Sequence, residues 1–341
     1  MGKNKKNIDR ENLRQVILDS PQQFGVGLEL ASDIKIKGNF KSVEVSGMGG
    51  SSWPVNVLRI YLNALYLNNP KTKGFGLFQN RFYNLPHEAY DNALNIFTSY
   101  SGNTEETISS LKEAILRKLP SVGITTGGKL LDLCKKNNIP CVILPTGVQP
   151  RYATNYFFSA MLKILNNSGL IHEKHLDTLM SLAKNLEKDV IELEAEGKKL
   201  AKKLVGKTPI IYSSAKFKSL AMIWKIKINE NSKTPAFWNF YPELSHNEMV
   251  GFTLPQSKFH IISLLDEKDH AQNKKRFSIT ANILKKKGIG TTIIKMPNDN
   301  IFHTIFSTMV LGDWVSYYLA LEYGQDPTPV DIVEDLKKEL E

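Results

Sequence analysis

Cysteine is scarce in this sequence: Cys134 and Cys141 are the two cysteines in 341 residues. Two thiols are too few for a disulfide framework or a cysteine-rich zinc site, which excludes the small disulfide-stabilised secreted domains. We expect both to be buried, reduced thiols, as is usual for free cysteine.

Long uninterrupted apolar runs are also lacking. The most apolar stretch, residues 301–321, contains His303 and Asp313, so it predicts a buried helix and not a membrane span. The basic residues at the start of the chain are not followed by an apolar block, which predicts no secretory signal. We therefore expect a cytoplasmic protein that has no membrane partner.

The charge is unbalanced, with a formal net charge of +10. Nucleic acid, a membrane surface or an anionic metabolite are all partners that such a charge favours. The lysines are scattered, however, and no basic stripe is interleaved with aromatic residues, which argues against nucleic-acid binding. The excess charge therefore indicates a solvated surface in the first place.

Strand-like and helix-like segments alternate along the chain in two series. This alternation predicts an α/β fold with two subdomains, each a parallel sheet flanked by helices. We place an N-terminal helical segment at 1–25, the first domain at 26–165, a helical connection at 166–205, and the second domain with a C-terminal helix at 206–341. The predicted strands are 42–46, 74–78, 95–99, 122–125 and 141–144 in the first series, and 209–212, 259–265 and 291–295 in the second. The predicted helices include 54–67, which follows the first strand, and 301–322, which follows the last.

The first loop with a chemical signal is Gly-Met-Gly-Gly-Ser-Ser at residues 47–52, between a predicted strand and a predicted helix. A dinucleotide fingerprint would need a third glycine where Ser52 stands and an acidic residue about 20 positions further on, so that interpretation fails. A bare structural turn remains open. The alternative is a phosphate or sugar cradle, which the hydroxyls of Ser51 and Ser52 favour.

A second loop, residues 99–107, is rich in hydroxyl groups. Ser99, Ser101 and Thr104 surround Gly102 between a strand and a helix, and Asn103 or Thr104 is the candidate helix cap. An ordinary capped turn is one interpretation of this pattern. A phosphate pocket is at least as well supported, because so many hydroxyls converge near a helix N-terminus.

These two loops, in this order, resemble those of the sugar isomerase (SIS) domain, and within that superfamily those of the bifunctional phosphoglucose/phosphomannose isomerases. The resemblance covers most of the chain and implies two SIS-type subdomains. Further matching motifs are Thr-Thr-Gly-Gly at 125–128, Pro-Arg at 150–151, Asn-Glu-Asn-Ser-Lys at 229–233, Glu-Leu-Ser-His-Asn-Glu at 243–248 and Asp-Pro-Thr-Pro at 326–329.

The resemblance implies an aldose–ketose isomerase of carbohydrate metabolism. Its substrates would be glucose 6-phosphate, mannose 6-phosphate and fructose 6-phosphate, and proton transfer through an enediol(ate) would need neither a metal nor another cofactor. The residues at the family's phosphate-binding positions are Gly50, Ser51, Ser99, Ser101 and Thr104.

The same resemblance assigns the catalytic groups. Glu230 matches the proton-transferring base, and Arg151 matches an arginine that stabilises the enediolate. His246 matches a ring-opening residue that the neighbouring subunit supplies in the family, which implies a homodimer with shared active sites.

A C-terminal lysine also assists ring opening in the family. Lys337 is the better match and Lys338 the adjacent one, and we expect Lys337 to be partly buried beside the apolar face of a helix over 330–340. The bifunctional enzymes have a threonine upstream of that lysine, where Val330 stands here unless Thr328 fills the role. This departure bears on mannose 6-phosphate more than on glucose 6-phosphate.

Two other functions stay open from the sequence. One is a regulator that binds a sugar phosphate through the SIS fold without turning it over. The other is a stand-alone amino-sugar phosphate isomerase.

Overall fold

The computed structural model describes residues 8–68 and 74–340. The chain forms two compact units: the first is Asp19–Asn185, and the second comprises Leu186–Glu341 together with Met1–Leu18. The two cysteines lie in the first unit, where both are free thiols, Cys134 buried and Cys141 partly buried. None of the helices in the described ranges is long and apolar enough to cross a membrane.

The elements of the first unit follow the alternation predicted from the sequence. Helix α1 ends where this unit begins. In chain order the elements are α1 (Leu13–Asp19), α2 (Gln23–Leu30), β1 (Ser42–Gly47), α3 (Gly49–Asn68), β2 (Gly76–Asn80), β3 (Ala93–Ser99), α4 (Glu105–Leu116), β4 (Ser121–Thr125), α5 (Gly128–Lys136), β5 (Cys141–Ile143) and α6 (Thr154–Asn167).

The second unit is built in the same way. Its first helix, α7 (Lys174–Leu204), crosses the boundary between the units. The other elements are β6 (Thr208–Ser214), α8 (Lys218–Ser232), β7 (Phe237–Tyr241), α9 (Glu248–Gly251), β8 (Phe259–Leu265), α10 (Ala271–Lys286), β9 (Gly290–Lys295), α11 (Ile301–Glu322) and α12 (Asp331–Leu340).

Each unit contains one parallel sheet, which confirms the predicted fold class. The strand order is β2-β1-β3-β4-β5 in the first unit and β7-β6-β8-β9 in the second. All pairings are parallel, and strand β1, between β2 and β3, is buried along its whole length because helices cover such sheets on both faces. The apolar stretch that begins at Ile301 is helix α11, buried along most of its length, as predicted.

Three of these elements were not predicted from the sequence: α2, the short helix α9 and β7. Helix α2 contains Gly25 and Gly27, which have low helix propensity. Gly27 is used for close packing: a Cβ atom there would lie 2.1 Å from Ser159 Oγ on α6. Strand β7 lies at a sheet edge and pairs with β6, so a tertiary contact determines it.

Candidate active site

The two hydroxyl-rich loops meet at one edge of the first sheet. The chain passes from β1 to β2 on one side and then returns to β3 on the other, so β1 and β3 flank the point where the direction of the connections reverses. Loops at the carboxyl ends of such strands form the usual ligand crevice of open parallel sheets. The loops after β1 and β3 are the glycine-rich loop and the hydroxyl loop.

The glycine-rich loop is the first turn of α3, which begins at Gly49 and not at Pro54 as predicted. A Cβ atom on Gly50 would lie 2.6 Å from the backbone nitrogen of Arg151, so no larger residue fits there. Ser51 Oγ accepts a hydrogen bond from the Tyr100 amide at 2.9 Å, which joins this loop to the hydroxyl loop. A helix N-terminus held in this way is suited to an anion.

The hydroxyl loop turns its side chains towards one another. Ser99 Oγ lies 2.8 Å from Thr104 Oγ1 and accepts a hydrogen bond from the Gly102 amide at 3.0 Å. Thr104 is the N-cap residue of α4, but its side chain makes no cap hydrogen bond. Ser101 Oγ accepts only a longer bond of 3.3 Å, from the Asn103 amide, and Ser101 is exposed. The hydroxyls are therefore arranged around Ser99 and not as an ordinary helix cap.

The loop between β4 and α5 supports the hydroxyl loop from behind. Gly102 has φ +71°, and a Cβ atom there would lie 1.7 Å from the carbonyl oxygen of Gly127. Asn103 Oδ1 accepts from the Lys129 amide at 3.1 Å, and the Gly102 carbonyl accepts from the Leu130 amide at 2.9 Å. A glycine at position 102 is thus required by both backbone conformation and space.

Arg151 lies directly against the glycine-rich loop. It belongs to the short helical turn Pro150–Tyr152, and its side chain is only 2% exposed. Its guanidinium carbon lies 5.6 Å from the centre of the Tyr152 ring, within cation–π range. The first unit therefore brings Arg151 to the same sheet edge as Gly50 and Ser51.

Glu44 is a buried acid near this edge that the sequence reasoning missed. It is fully buried in β1 and accepts a hydrogen bond from Ser46 Oγ at 2.9 Å. Burial raises the pKa of Glu44 to about 8, although hydrogen bonds from Ser46 and the Asn80 backbone act in the opposite direction. An acidic residue between two valines, Val43 and Val45, in a predicted strand was the signal that could have identified it.

Glu230 lies near the C-terminal end of α8 in the second unit, where the chain is tightly held. Lys233 ends the helix in the left-handed conformation, with φ 55°. Its Nζ donates to the Glu230 carbonyl at 2.5 Å and to the Pro327 carbonyl at 3.4 Å. These bonds tie the Asn-Glu-Asn-Ser-Lys motif to the Asp-Pro-Thr-Pro motif.

The next side chains of the motif anchor this helix end to α11. Asn231 Nδ2 donates to Ser316 Oγ at 2.9 Å, and Ser232 Oγ donates to the Ser316 carbonyl at 2.8 Å. One turn earlier, the buried Lys227 pairs with Asp313. The backbone that carries Glu230 is therefore fixed by three contacts with a single helix.

His246 and the C-terminal lysines are at the surface of the single chain. His246 ends the short turn Glu243–His246 and is exposed. Lys337 Nζ lies 2.7 Å from Glu334 Oε1, and its side chain is 62% exposed. The expectation that Lys337 is partly buried is wrong for the single chain, because α12 has no buried residue against which to pack it.

The predicted residues thus divide between the units. Gly50, Ser51, Ser99, Ser101, Thr104 and Arg151 lie in the first unit, and Glu230, His246 and Lys337 lie in the second. Within residues 8–68 and 74–340, no group of three or more His, Cys, Asp or Glu side chains is arranged to hold a metal ion.

Comparisons with known proteins identify relatives along almost the whole chain. Residues 193–340 match the family model described as the bacterial phospho-glucose isomerase C-terminal SIS domain. The chain is 35% identical to a bifunctional phosphoglucose/phosphomannose isomerase from Caldicellulosiruptor bescii, over 95% of this chain and 97% of that one. It is 36% identical to a protein of the same name from Aquifex aeolicus, over 88% and 91% of the two chains.

One relative has a different name, and one solved structure illustrates the shared fold. The D-glucosamine-6-phosphate 4-epimerase of Sulfolobus acidocaldarius is 31% identical over 86% of this chain and 87% of its own. The tagatose-6-phosphate ketose/aldose isomerase of Escherichia coli superposes with a TM-score of 0.64 at 13% identity, covering 92% and 93% of the chains.

Proposed function

The chain belongs to the bifunctional phosphoglucose/phosphomannose isomerase family, and we propose that it interconverts glucose 6-phosphate and mannose 6-phosphate with fructose 6-phosphate. The observation that carries this proposal is the joined pair of hydroxyl loops at the point where the connections of the first sheet reverse. Such a pocket fits a phosphate monoester. The name that these relatives share, bifunctional phosphoglucose/phosphomannose isomerase, also implies phosphorylated sugars as substrates.

The phosphate of the substrate binds to the hydroxyls of Ser51, Ser99, Ser101 and Thr104 in this proposal. Hydroxyls and helix N–H groups hold a phosphate by hydrogen bonds, so the reactive end of the sugar remains free for proton transfer. Gly50 supports this pocket, because it lets the loop approach the backbone at Pro150–Arg151.

Proton transfer is assigned to Glu230. After ring opening, its carboxylate removes the proton from carbon 2 of the aldose and returns it to carbon 1 of the enediol(ate), which gives the ketose. Arg151 stabilises the negative charge that develops on the enediolate oxygen. His246, from the second subunit of a homodimer, and Lys337 exchange protons with the ring oxygen and the anomeric hydroxyl.

The experiment is an assay of the purified protein on glucose 6-phosphate and mannose 6-phosphate, in the presence of a chelator. We expect fructose 6-phosphate from both, with deuterium incorporated from D2O at the transferred position. Glu230→Gln should lower kcat by about 10²-fold or more while fructose 6-phosphate binding is retained. Glu196→Gln, an exposed glutamate of the same unit, is the control.

Three outcomes would contradict parts of this proposal. Unchanged turnover in Glu230→Gln would refute the assignment of the base. Activity that needs added metal would refute the metal-free mechanism. Binding without turnover on either hexose phosphate would favour a sugar-phosphate regulator.

An amino-sugar phosphate is the second candidate substrate. The observation that favours it is the similarity to the Sulfolobus 4-epimerase, which is comparable in extent to the similarity to the isomerases. Glucosamine 6-phosphate should therefore be included in the same assay. If glucosamine 6-phosphate is converted faster than glucose 6-phosphate and mannose 6-phosphate, an amino-sugar phosphate replaces them as the proposed substrate.

A further inference from the structure

Two arginines each bridge α3 and the segment of the edge strand β2. Arg59 Nη2 donates to the Leu77 carbonyl at 3.0 Å, and Arg81 Nε donates to Ser52 Oγ at 3.1 Å. Ser52 and Arg59 are about two helical turns apart and so share a face of α3. Gln79 lies between the arginines along the chain, and its Nε2 donates to the Ser52 carbonyl at 2.9 Å. These bonds align both guanidinium groups along one α3–β2 contact.

These two positive charges have no carboxylate partner among residues 8–68 and 74–340. Each guanidinium has five N–H donors, but each uses a single hydrogen bond on the described part of the chain. Burial lowers the pKa of both groups, and the positive charge of Arg59 lowers the pKa of Arg81 further. Uncompensated like charges that retain free donors are the arrangement that an anion would stabilise.

The arginine pair is separate from the pocket proposed to bind the substrate phosphate. That pocket, lined by Ser51, Ser99, Ser101 and Thr104, is called the hydroxyl pocket here. Ser51 Oγ accepts from the Tyr100 amide beyond β3, whereas Ser52 Oγ accepts from Gln79 and Arg81 at the β2 side. The first turn of α3 therefore has different neighbours on its two sides. Arg81 is exposed and Arg59 is partly exposed, so solutes can reach the pair.

We propose that Arg59 and Arg81 form a second anion-binding site, specific for a phosphate group, beside the hydroxyl pocket. A planar guanidinium can donate two parallel hydrogen bonds to two oxygens of one phosphate. Two arginines without a carboxylate partner can donate to the phosphate from two directions. Because Arg81 also holds Ser52, next to Ser51, phosphate bound here should alter the affinity of the hydroxyl pocket. Binding at this site does not depend on the proposed isomerase activity.

Inorganic phosphate is the probe, and calorimetric stoichiometry at constant ionic strength is the measurement. We expect two phosphates per wild-type chain, of which saturating fructose 6-phosphate displaces one. Arg81→Gln and Arg59→Gln should each weaken the undisplaced site by about tenfold or more. Ser99→Ala with Ser101→Ala should remove the displaced site alone.

The control for charge is Arg117→Gln, because Arg117 is an exposed arginine of the same unit. The absence of any phosphate bound to the wild-type chain in the presence of saturating fructose 6-phosphate would overturn the proposal. An undisplaced site that is equally strong in the Arg81→Gln and Arg117→Gln chains would overturn it as well. Since Arg81 is exposed, its variant should fold, and circular dichroism verifies this. Hexose phosphate turnover in the wild type separately tests the isomerase proposal.

Discussion

Lys227 of α8 and Asp313 of α11 form a buried ion pair, with side chains only 2% and 8% exposed. Removing one partner leaves an uncompensated charge in the core, so Lys227→Met or Asp313→Leu should each cost about 3–5 kcal/mol of unfolding free energy. The double variant Lys227→Met with Asp313→Leu should recover most of that loss. Chemical denaturation of all four proteins measures the coupling, and strictly additive losses would show that the two charges do not act as a pair.

The ionisation of Glu44 should make the first unit less stable at alkaline pH. Its folded pKa, about 8, is above the ordinary value of 4.5. The stabilisation from the neutral form is therefore complete below about pH 4.5 and is lost as pH rises towards 8, by up to about 1.4 kcal/mol per pH unit. Glu44→Gln should remove this dependence and raise the denaturation midpoint at about pH 8.

The register of the sheet gives a second reason to expect that the Glu44 carboxyl group is protonated and neutral. Glu44 pairs in register with Asn95 of β3, and Glu44 Oε2 and Asn95 Oδ1 are both buried without a hydrogen-bond partner. Asn95 Nδ2 already donates to two carbonyl groups, so Oδ1 needs a donor from elsewhere. Glutamine at position 44 can supply an N–H. Glu29→Gln is the exposed control, and an equal pH response in both variants would contradict the assignment.

His303 should also stabilise the second unit more at acidic than at alkaline pH, through its contacts with two aspartates. Its Nε2 lies 2.5 Å from Asp189 of α7 and its Nδ1 2.6 Å from Asp299. Burial lowers the pKa of His303, but the bonds to the two aspartates outweigh it, and the net pKa is raised. The stabilisation is therefore complete below the unfolded value of about 6.5 and is lost as pH rises through the folded pKa.

The corresponding measurement is the melting temperature of His303→Gln against pH. The variant should lose about 1–3 kcal/mol at about pH 6 and much less at about pH 9. His87→Gln, at an exposed histidine, serves as the comparison and should show no such trend. A pH-independent loss in His303→Gln would mean that packing, and not charge, is what the side chain contributes.

Lys337 and Lys338 provide a matched pair for locating the proposed ring-opening lysine. Both are exposed on α12, and each pairs with a carboxylate three positions earlier. Because only one of them can occupy the position in the active site, Lys337→Met should lower kcat with cyclic substrate by about 10²-fold while Lys338→Met has little effect. Steady-state kinetics on both variants decide which lysine assists ring opening. The reverse pattern would assign the role to Lys338, one residue further along the chain.

Much of the architecture could be read from the sequence. The predicted bounds of β8, 259–265, and of α11, 301–322, agree with those in the structure. Both segments are largely apolar, and such composition by itself indicates burial. Strand β7 could not be predicted, since it forms only by pairing with β6 at the sheet edge. The exposure of Lys337 was also missed, because amphipathicity identifies an apolar face but not what covers it.

By itself, the sequence determined the two series of strands and helices and the glycine and hydroxyl loops. The glycine residue type at positions 50 and 102 indicates by itself that the backbone comes close to another segment there. Only the tertiary structure brought Ser51 to Tyr100, Lys227 to Asp313 and Arg59 towards Arg81. Those pairs are distant along the chain, and their charge states and hydrogen bonds depend on burial and neighbours that no local pattern encodes.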